Sequence, residues 1–179
     1  MVSQFDIRIC LYAALWLFSY FKGYRLYLSG QPVYATAYAL IFAMSLLAFF
    51  RRFRYLKYLH MRLKKIDKLS GRGFEQYLAA QFKHQGWRVE LTEKSHDYGA
   101  DLILRKRGKC KVVQVKRYDK NVGISAIQEA VGAIAYYEAD EAMVVTNSSF
   151  TKNARNLAGQ NGVELWDREE IRRRFGIRE

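Results

Sequence analysis

The sequence predicts an α/β protein, a mixed β-sheet flanked by helices, preceded by a transmembrane helical hairpin. Three observations carry this reading. Residues 32–50, PVYATAYALIFAMSLLAFF, contain no charge. From residue 73 onward, stretches of helical periodicity alternate with short apolar stretches of strand character. Between these two parts lies a short segment that holds most of the chain's excess positive charge. With 179 residues there is room for one ordinary domain and an extension, not for two full domains.

The run from Pro32 to Phe50 is nineteen residues long. At ~1.5 Å per residue this approaches the hydrocarbon thickness of a bilayer. Arg51, Arg52 and Arg54 follow at once, which places the C-terminal side in the cytoplasm of a bacterial inner membrane by the positive-inside bias. An earlier stretch, Ile9 to Phe21, is shorter, with thirteen uncharged residues between Arg8 and Lys22 and no small-residue cleavage site after it. The preferred reading is a hairpin with both ends cytoplasmic, turning near Ser29-Gly30-Gln31-Pro32. The alternative is a single span with an interfacial first helix. Residues 1–50 are thus the membrane anchor, with one or two transmembrane helices.

Residues 51–69 carry eight basic side chains against Asp67, a net of +7, whereas residues 1–50 carry +2 and the remaining 110 residues only +4. Phe53, Leu56, Leu59 and Leu63 recur at helical spacing, so 51–69 reads as a basic amphipathic linker helix. Anionic headgroups are its preferred partner and DNA the second. The pI near 9.8 decides nothing between them. Cys10 and Cys110 lie in unlike surroundings, so neither a bridge nor a metal site is expected from them.

Ser70-Gly71-Arg72-Gly73 marks the start of the globular domain, 70–179. Helices are predicted over 73–85 (Phe74, Leu78 and Phe82 on one stripe), 124–137, 151–160 and from an Asp167 cap to about Phe175. Strands are predicted over 87–91, 101–105, 110–118, 142–146 and 163–166.

The informative stretch is HDYGADLILRKRGKCKVVQVKRYDK. If Arg107-Gly108 is a two-residue hairpin turn, facing residues have numbers summing to 215, and Asp101 falls opposite Gln114. One face then reads Asp101, Ile103, Val112, Gln114, Lys116 and the other Leu102, Leu104, Val113, Val115. Apolar residues on both faces mean a sheet covered on both sides. A carboxylate, an amide and an ammonium cluster at one end of it. Taken alone, that cluster reads equally as a site or as the wet end of a strand. Lys106, Lys109, Lys111, Arg117 and Lys120 line or flank the hairpin, as phosphate contacts or as a solvated tip.

The stretch from Ser70 to Phe175 resembles the Mrr-type restriction endonucleases of the PD-(D/E)xK nuclease superfamily. The matching pieces are Gly73-Phe74-Glu75, Asp97-Tyr98-Gly99-Ala100-Asp101-Leu102, Val113-Gln114-Val115-Lys116-Arg117, Val122-Gly123-Ile124 with Ile127-Gln128-Glu129, and Val145-Thr146-Asn147 with Phe150-Thr151. The resemblance implies a restriction-endonuclease-like fold and a Mg²⁺-dependent deoxyribonuclease. It also implies that Asp101 binds Mg²⁺, that Gln114 stands where a second acid is usual, and that Lys116 is catalytic. Glu75 adds a carboxylate from the first helix and Gln128 a polar contact. The carbonyl of Val115 is expected to complete the metal site. Arg117 and Lys120 are expected to meet substrate phosphates. Asp97 is read as a turn former, and an acid-base pair with His96 is the weaker alternative. The implied function is a membrane-tethered, cytoplasm-facing endonuclease in defence against foreign DNA, with a homodimer for double-strand cleavage. The alternatives are a non-catalytic nucleic-acid-binding module and a nuclease of repair or branched DNA. Mrr proper reads modified DNA through a separate N-terminal domain. A membrane segment stands in that place here, so that specificity is not carried over.

Overall fold

A computed structural model of the chain describes residues 3–59, 61–92 and 98–177. It divides into two compact units, Met1–Lys57 and Tyr58–Glu179.

The first unit is a helical hairpin. Helix α1 (Ser3–Leu28) turns through Gly30, φ 72°, into α2 (Pro32–Leu59), which opens on a proline where no N–H is needed. The two helices touch through small or flat groups. Trp16 stacks on Phe42 at 5.3 Å, and a Cβ on Gly23 would sit 3.1 Å from that of Tyr38. Ser19 and Ser45 are buried and return their hydroxyls to the carbonyls of Leu15 and Phe42, both at 2.8 Å. Most large apolar side chains of this unit face outward, among them Leu15, Phe18, Leu40, Met44 and Phe50. Among the described residues, α2 alone is long and apolar enough to cross a membrane.

The second unit is built on a five-stranded mixed sheet in the order β1 (Arg88–Leu91), β2 (Leu102–Lys106), β3 (Lys109–Lys116), β4 (Glu141–Thr146), β5 (Glu164–Trp166). The first three strands are antiparallel, and β3, β4 and β5 are parallel. The parallel pairs are joined by helices α5 (Ser125–Tyr136) and α6 (Lys152–Asn161), which cover one face. Helices α4 (Gly71–His84) and α7 (Arg168–Phe175) cover the other. Leu102, Leu104, Val113 and Val115 pack with Phe74, Leu78 and Trp166 on the α4 face. Val112 and Val144 pack with Ile127, Ala130 and Ala154 on the α5 face. The architecture is the expected restriction-endonuclease-like sheet flanked by helices. Ser70, Thr151 and Asp167 cap their helices through side-chain oxygens, accepting from Gly73, Ala154 and Glu170.

The linker departs from the expected single helix. Helix α2 ends at Leu59, Arg62 is extended, and a short α3 (Leu63–Ile66) follows. Met61 and Ile66 are both buried in the α4-side core. Five residues apart, they would lie on different faces of one straight helix, so burying both requires a break. Tyr58 adds a hydroxyl bond to Gln76 Oε1 at 3.0 Å.

Asp67 fixes this segment. Its Oδ1 lies 2.5 Å from Arg168 Nη1 and accepts from Asn147 Nδ2 at 3.3 Å, and its carbonyl accepts from Arg117 Nη2. Burial pushes the Asp67 carboxyl up. The hydrogen bonds from Arg168 and Asn147 and the charges of Arg168 and Arg117 outweigh it, leaving the group below the ordinary carboxylate range. A folded-state pKa below the unfolded one stabilises the fold above the ordinary value. The contribution is lost as pH falls through the lowered one. The Asp67→Asn variant should therefore melt lower than the parent at neutral pH, and the gap should close in strong acid. Melting curves between neutral pH and pH 2 would show parallel limbs if Asp67 carried no such linkage.

Candidate active site

The β2–β3 hairpin sets the site. Arg107 (φ 52°) and Gly108 (φ 80°) both adopt the left-handed conformation that a two-residue hairpin of this twist needs. Pairing runs from Lys106↔Lys109 to Leu102↔Val113, every pair in the predicted register. Asp101 therefore stands beside Gln114 at the end of the hairpin away from its turn.

Asp101 is held on several sides. Its N–H donates to the Val113 carbonyl at 2.9 Å, its own carbonyl accepts from the Thr92 N–H at 3.1 Å, and its Oδ2 accepts from the Val115 N–H at 2.7 Å. The carboxylate thus ends the ladder and is aimed at the strand that carries Gln114 and Lys116. Gln114 is 4% exposed, and its Oε1 has no hydrogen-bond partner among the described residues. A buried acceptor left unsatisfied costs about 1–3 kcal/mol, so it calls for a ligand. Lys116 closes β3 with its Nζ 2.5 Å from Glu129 Oε2 on α5.

Glu129 was not singled out from sequence, where the polar role on this helix was assigned to its neighbour Gln128. The side chain of Gln128 is exposed, and Glu129 makes the contact with Lys116. The reason α5 comes so close lies at Gly99. Its φ is +88°, and a Cβ there would lie 2.3 Å from the Glu129 carbonyl oxygen. Only a glycine lets the loop before Asp101 press against the helix that supplies the partner of Lys116.

This yields a prediction with an internal control. Gly108 also has positive φ (+80°), but nothing lies within 4 Å of a Cβ built there. Gly108→Ala should cost only the left-handed strain, ~1 kcal/mol. Gly99→Ala should add an overpacking penalty of ~1–3 kcal/mol. Equal melting temperatures for the two variants would refute the close approach.

Glu75 sits on α4 and is largely buried, with Oε2 2.6 Å from Arg72 Nη1. Arg72 also reaches the Thr92 carbonyl at 3.3 Å. Glu75 is thereby linked to Asp101 through Arg72 and Thr92. Arg117 pairs with Asp119 at 3.2 Å and holds the Asp67 carbonyl, so its guanidinium is already engaged in fixing the 58–69 segment. Lys120 is exposed. His96 and Asp97 lie outside the described residues.

The other hairpin cations are displaced from this place. Lys106 is five residues along the strand from Asp101, about 17 Å at ~3.3 Å per residue. Lys109 and Lys111 are paired with Glu141, at 3.3 and 2.8 Å, and Lys111 also with Glu164 at 2.6 Å. These lysines knit β3 to β4 and β5 at the opposite end of the sheet. Among the described residues no group of three His, Cys, Asp or Glu side chains is placed to hold a metal ion.

A protein-family model, Mrr_cat, described as restriction endonuclease, matches residues 66–175. The chain belongs to the Mrr-type restriction-endonuclease family. The match opens at Ile66, inside the segment that Asp67 clamps, and so takes in part of what reads from sequence as linker. A protein of Sinorhizobium fredii (strain NBRC 101917 / NGR234), "Uncharacterized protein y4cE", is 30% identical over 115 residues, covering 59% of this chain and 29% of its own length. The chain thus spans less than a third of that relative. A solved structure described as a protein of unknown function, AF1548, shares 13% identity over 52% of this chain and 56% of its own, with a TM-score of 0.47. A likeness that distant carries no argument. The Mrr-type domain is the part of the chain that holds Asp101, Gln114 and Lys116.

Proposed function

We propose that this chain is a divalent-metal-dependent DNA endonuclease, with Asp101, Gln114 and Lys116 as its catalytic group, held at a membrane by its N-terminal helices. The observation that carries the reading is the buried Oε1 of Gln114, unpartnered among the described residues, beside the Asp101 carboxylate. Oxygen donors at the end of a hairpin suit a hard cation such as Mg²⁺. Asp101, the Gln114 amide oxygen and the Val115 carbonyl would hold it, with Glu75 as a further carboxylate nearby. When bound, the cation supplies Lewis-acid charge for the phosphodiester and makes water more acidic.

The chain's own groups do the rest. The Val115 N–H fixes the orientation of the Asp101 carboxylate. Lys116 brings an ammonium with three donors, one of them directed to Glu129. The remaining donors serve the attacking water and the charge that develops on phosphorus. Glu129 limits the rotamers open to Lys116 and keeps its head at the strand end. Because Gln114 brings no charge, these residues would hold a cation more weakly than two carboxylates would.

The membrane part rests on the uncharged run 32–50, on the outward-facing apolar side chains of the first unit, and on the arginines that follow. Facing the cytoplasm of a bacterial inner membrane, the domain would meet foreign DNA. One metal site cuts one strand, so a double-strand break calls for two copies or two events.

The test is incubation of the full chain in uncharged detergent with supercoiled plasmid and Mg²⁺, with EDTA as control. Nicking that EDTA stops is expected. Binding of plasmid without any cleavage would instead assign a non-catalytic module. A reporter fused after Glu179 should be active on the cytoplasmic side, and periplasmic activity would reverse the topology.

A further inference from the structure

The segment between α2 and α4 holds exposed cations that no acid among the described residues pairs with. Arg62, Lys64, Lys65 and Lys68 are all exposed and make no ion pair among the described residues. Among the described residues, four acids near this segment are paired with other cations. Asp67 pairs with Arg168, Asp119 with Arg117, Asp167 with Arg155 and Glu169 with Arg172. Among the described residues, the field of these lysines is therefore not cancelled by direct pairing.

Asp67, in the middle of the run, decides where these cations stand. Its carbonyl is bonded to Arg117, the residue after Lys116. Its carboxylate is bonded to Asn147, the residue after Thr146, and Thr146 pairs with Lys116 across β3 and β4. Asn147 in turn accepts the Tyr118 N–H at 2.9 Å through its Oδ1. With Ile66 buried beside it, the segment is tied to the C-terminal ends of β3 and β4. That is the end of the sheet where Asp101, Gln114 and Lys116 lie.

We propose that Lys64, Lys65 and Lys68 form a track for the phosphate backbone of DNA beside the candidate active site. The inference rests on the nuclease reading and adds where its substrate lies. Anionic lipid headgroups offer similar phosphate chemistry. The clamp favours DNA, because contact with a lipid surface requires no fixed relation to the ends of the strands that carry the site. Lysines are point charges without base readout, so the track positions duplex DNA and gives no sequence preference.

The test is a salt series of duplex binding by the full chain in uncharged detergent, with EDTA present to prevent cutting. In the triple variant Lys64→Ala, Lys65→Ala, Lys68→Ala, the slope of log affinity against log salt should shrink by about 0.9 per lost contact, ~2.7 in all. The triple Lys→Arg variant should keep the parent slope, which separates lost charge from lost fold. An alanine variant with the parent's slope would overturn the proposal. So would one that binds DNA as the parent does but no longer binds phosphatidylserine vesicles, which would assign the lysines to the membrane. Should the parent neither bind nor nick DNA, the nuclease reading falls and the track falls with it. A parent that nicks plasmid while the alanine variant keeps its slope sinks the track alone.

Discussion

Lys116→Ala is expected to slow DNA cleavage by ~10²–10³-fold, the usual loss for one transition-state donor. Metal-dependent binding should survive, because Lys116 is not among the groups that would hold the cation. Asp101→Asn removes the only carboxylate of the proposed hairpin ligands and should abolish cleavage together with any Mg²⁺ dependence. Gln114→Glu is the third arm. It sets a second carboxylate into a buried position next to Asp101, where like charges repel in the absence of a cation. The variant should melt lower than the parent without Mg²⁺ and gain more from Mg²⁺ than the parent does. It should also cleave at a lower Mg²⁺ concentration. Three measurements check the series: plasmid nicking rates, melting temperatures in EDTA, and melting temperatures across a Mg²⁺ titration. A Lys116→Ala variant as fast as the parent would remove Lys116 from the chemistry. A Gln114→Glu variant that is folded, inactive and unresponsive to Mg²⁺ would mean the amide acts as a donor instead.

The parts of this arrangement that were readable from sequence are those set by local rules. Gly108 announced the hairpin turn, the turn fixed the register, and the register put Asp101 beside Gln114. Asp167 was likewise readable as a cap. What the sequence concealed is held by contacts between distant residues. Lys116 meets Glu129 only because α5 crosses back over the sheet, and Gly99 permits that approach through a contact with no sequence period. Asp67 looked like one acid lost in a basic run, yet its partners lie 50, 80 and 101 residues further on. The hairpin lysines show the same limit. Their spacing reads equally as phosphate contacts or as a solvated tip, and in the structure Glu141 and Glu164 pair with two of them. Composition gives the charge of a segment and not its partners.

The placement of residues 58–69 has a direct consequence for any soluble fragment. A chain cut at residue 58 should fold stably, and one cut at residue 70, the boundary that the glycine-rich sequence invites, should be far less stable. The longer fragment keeps Met61 and Ile66 in the α4-side core and Tyr58 on Gln76. The shorter one loses both buried side chains, worth ~1.5–3 kcal/mol each when fully buried. It also leaves Arg168 and Asn147 without Asp67 at the ends of β4 and α7. The summed loss of ~3–6 kcal/mol is comparable with the ~5–15 kcal/mol that holds a typical domain together. Circular dichroism with urea titration should show a cooperative transition for 58–179. For 70–179 it should show early, shallow loss of structure. Exposure of the core against Phe74 and Tyr77 should also make the short fragment bind hydrophobic dyes. Equal urea midpoints for the two fragments would show that the segment merely lies against the domain. The Asp67 clamp would then be a consequence of the fold and not one of its supports.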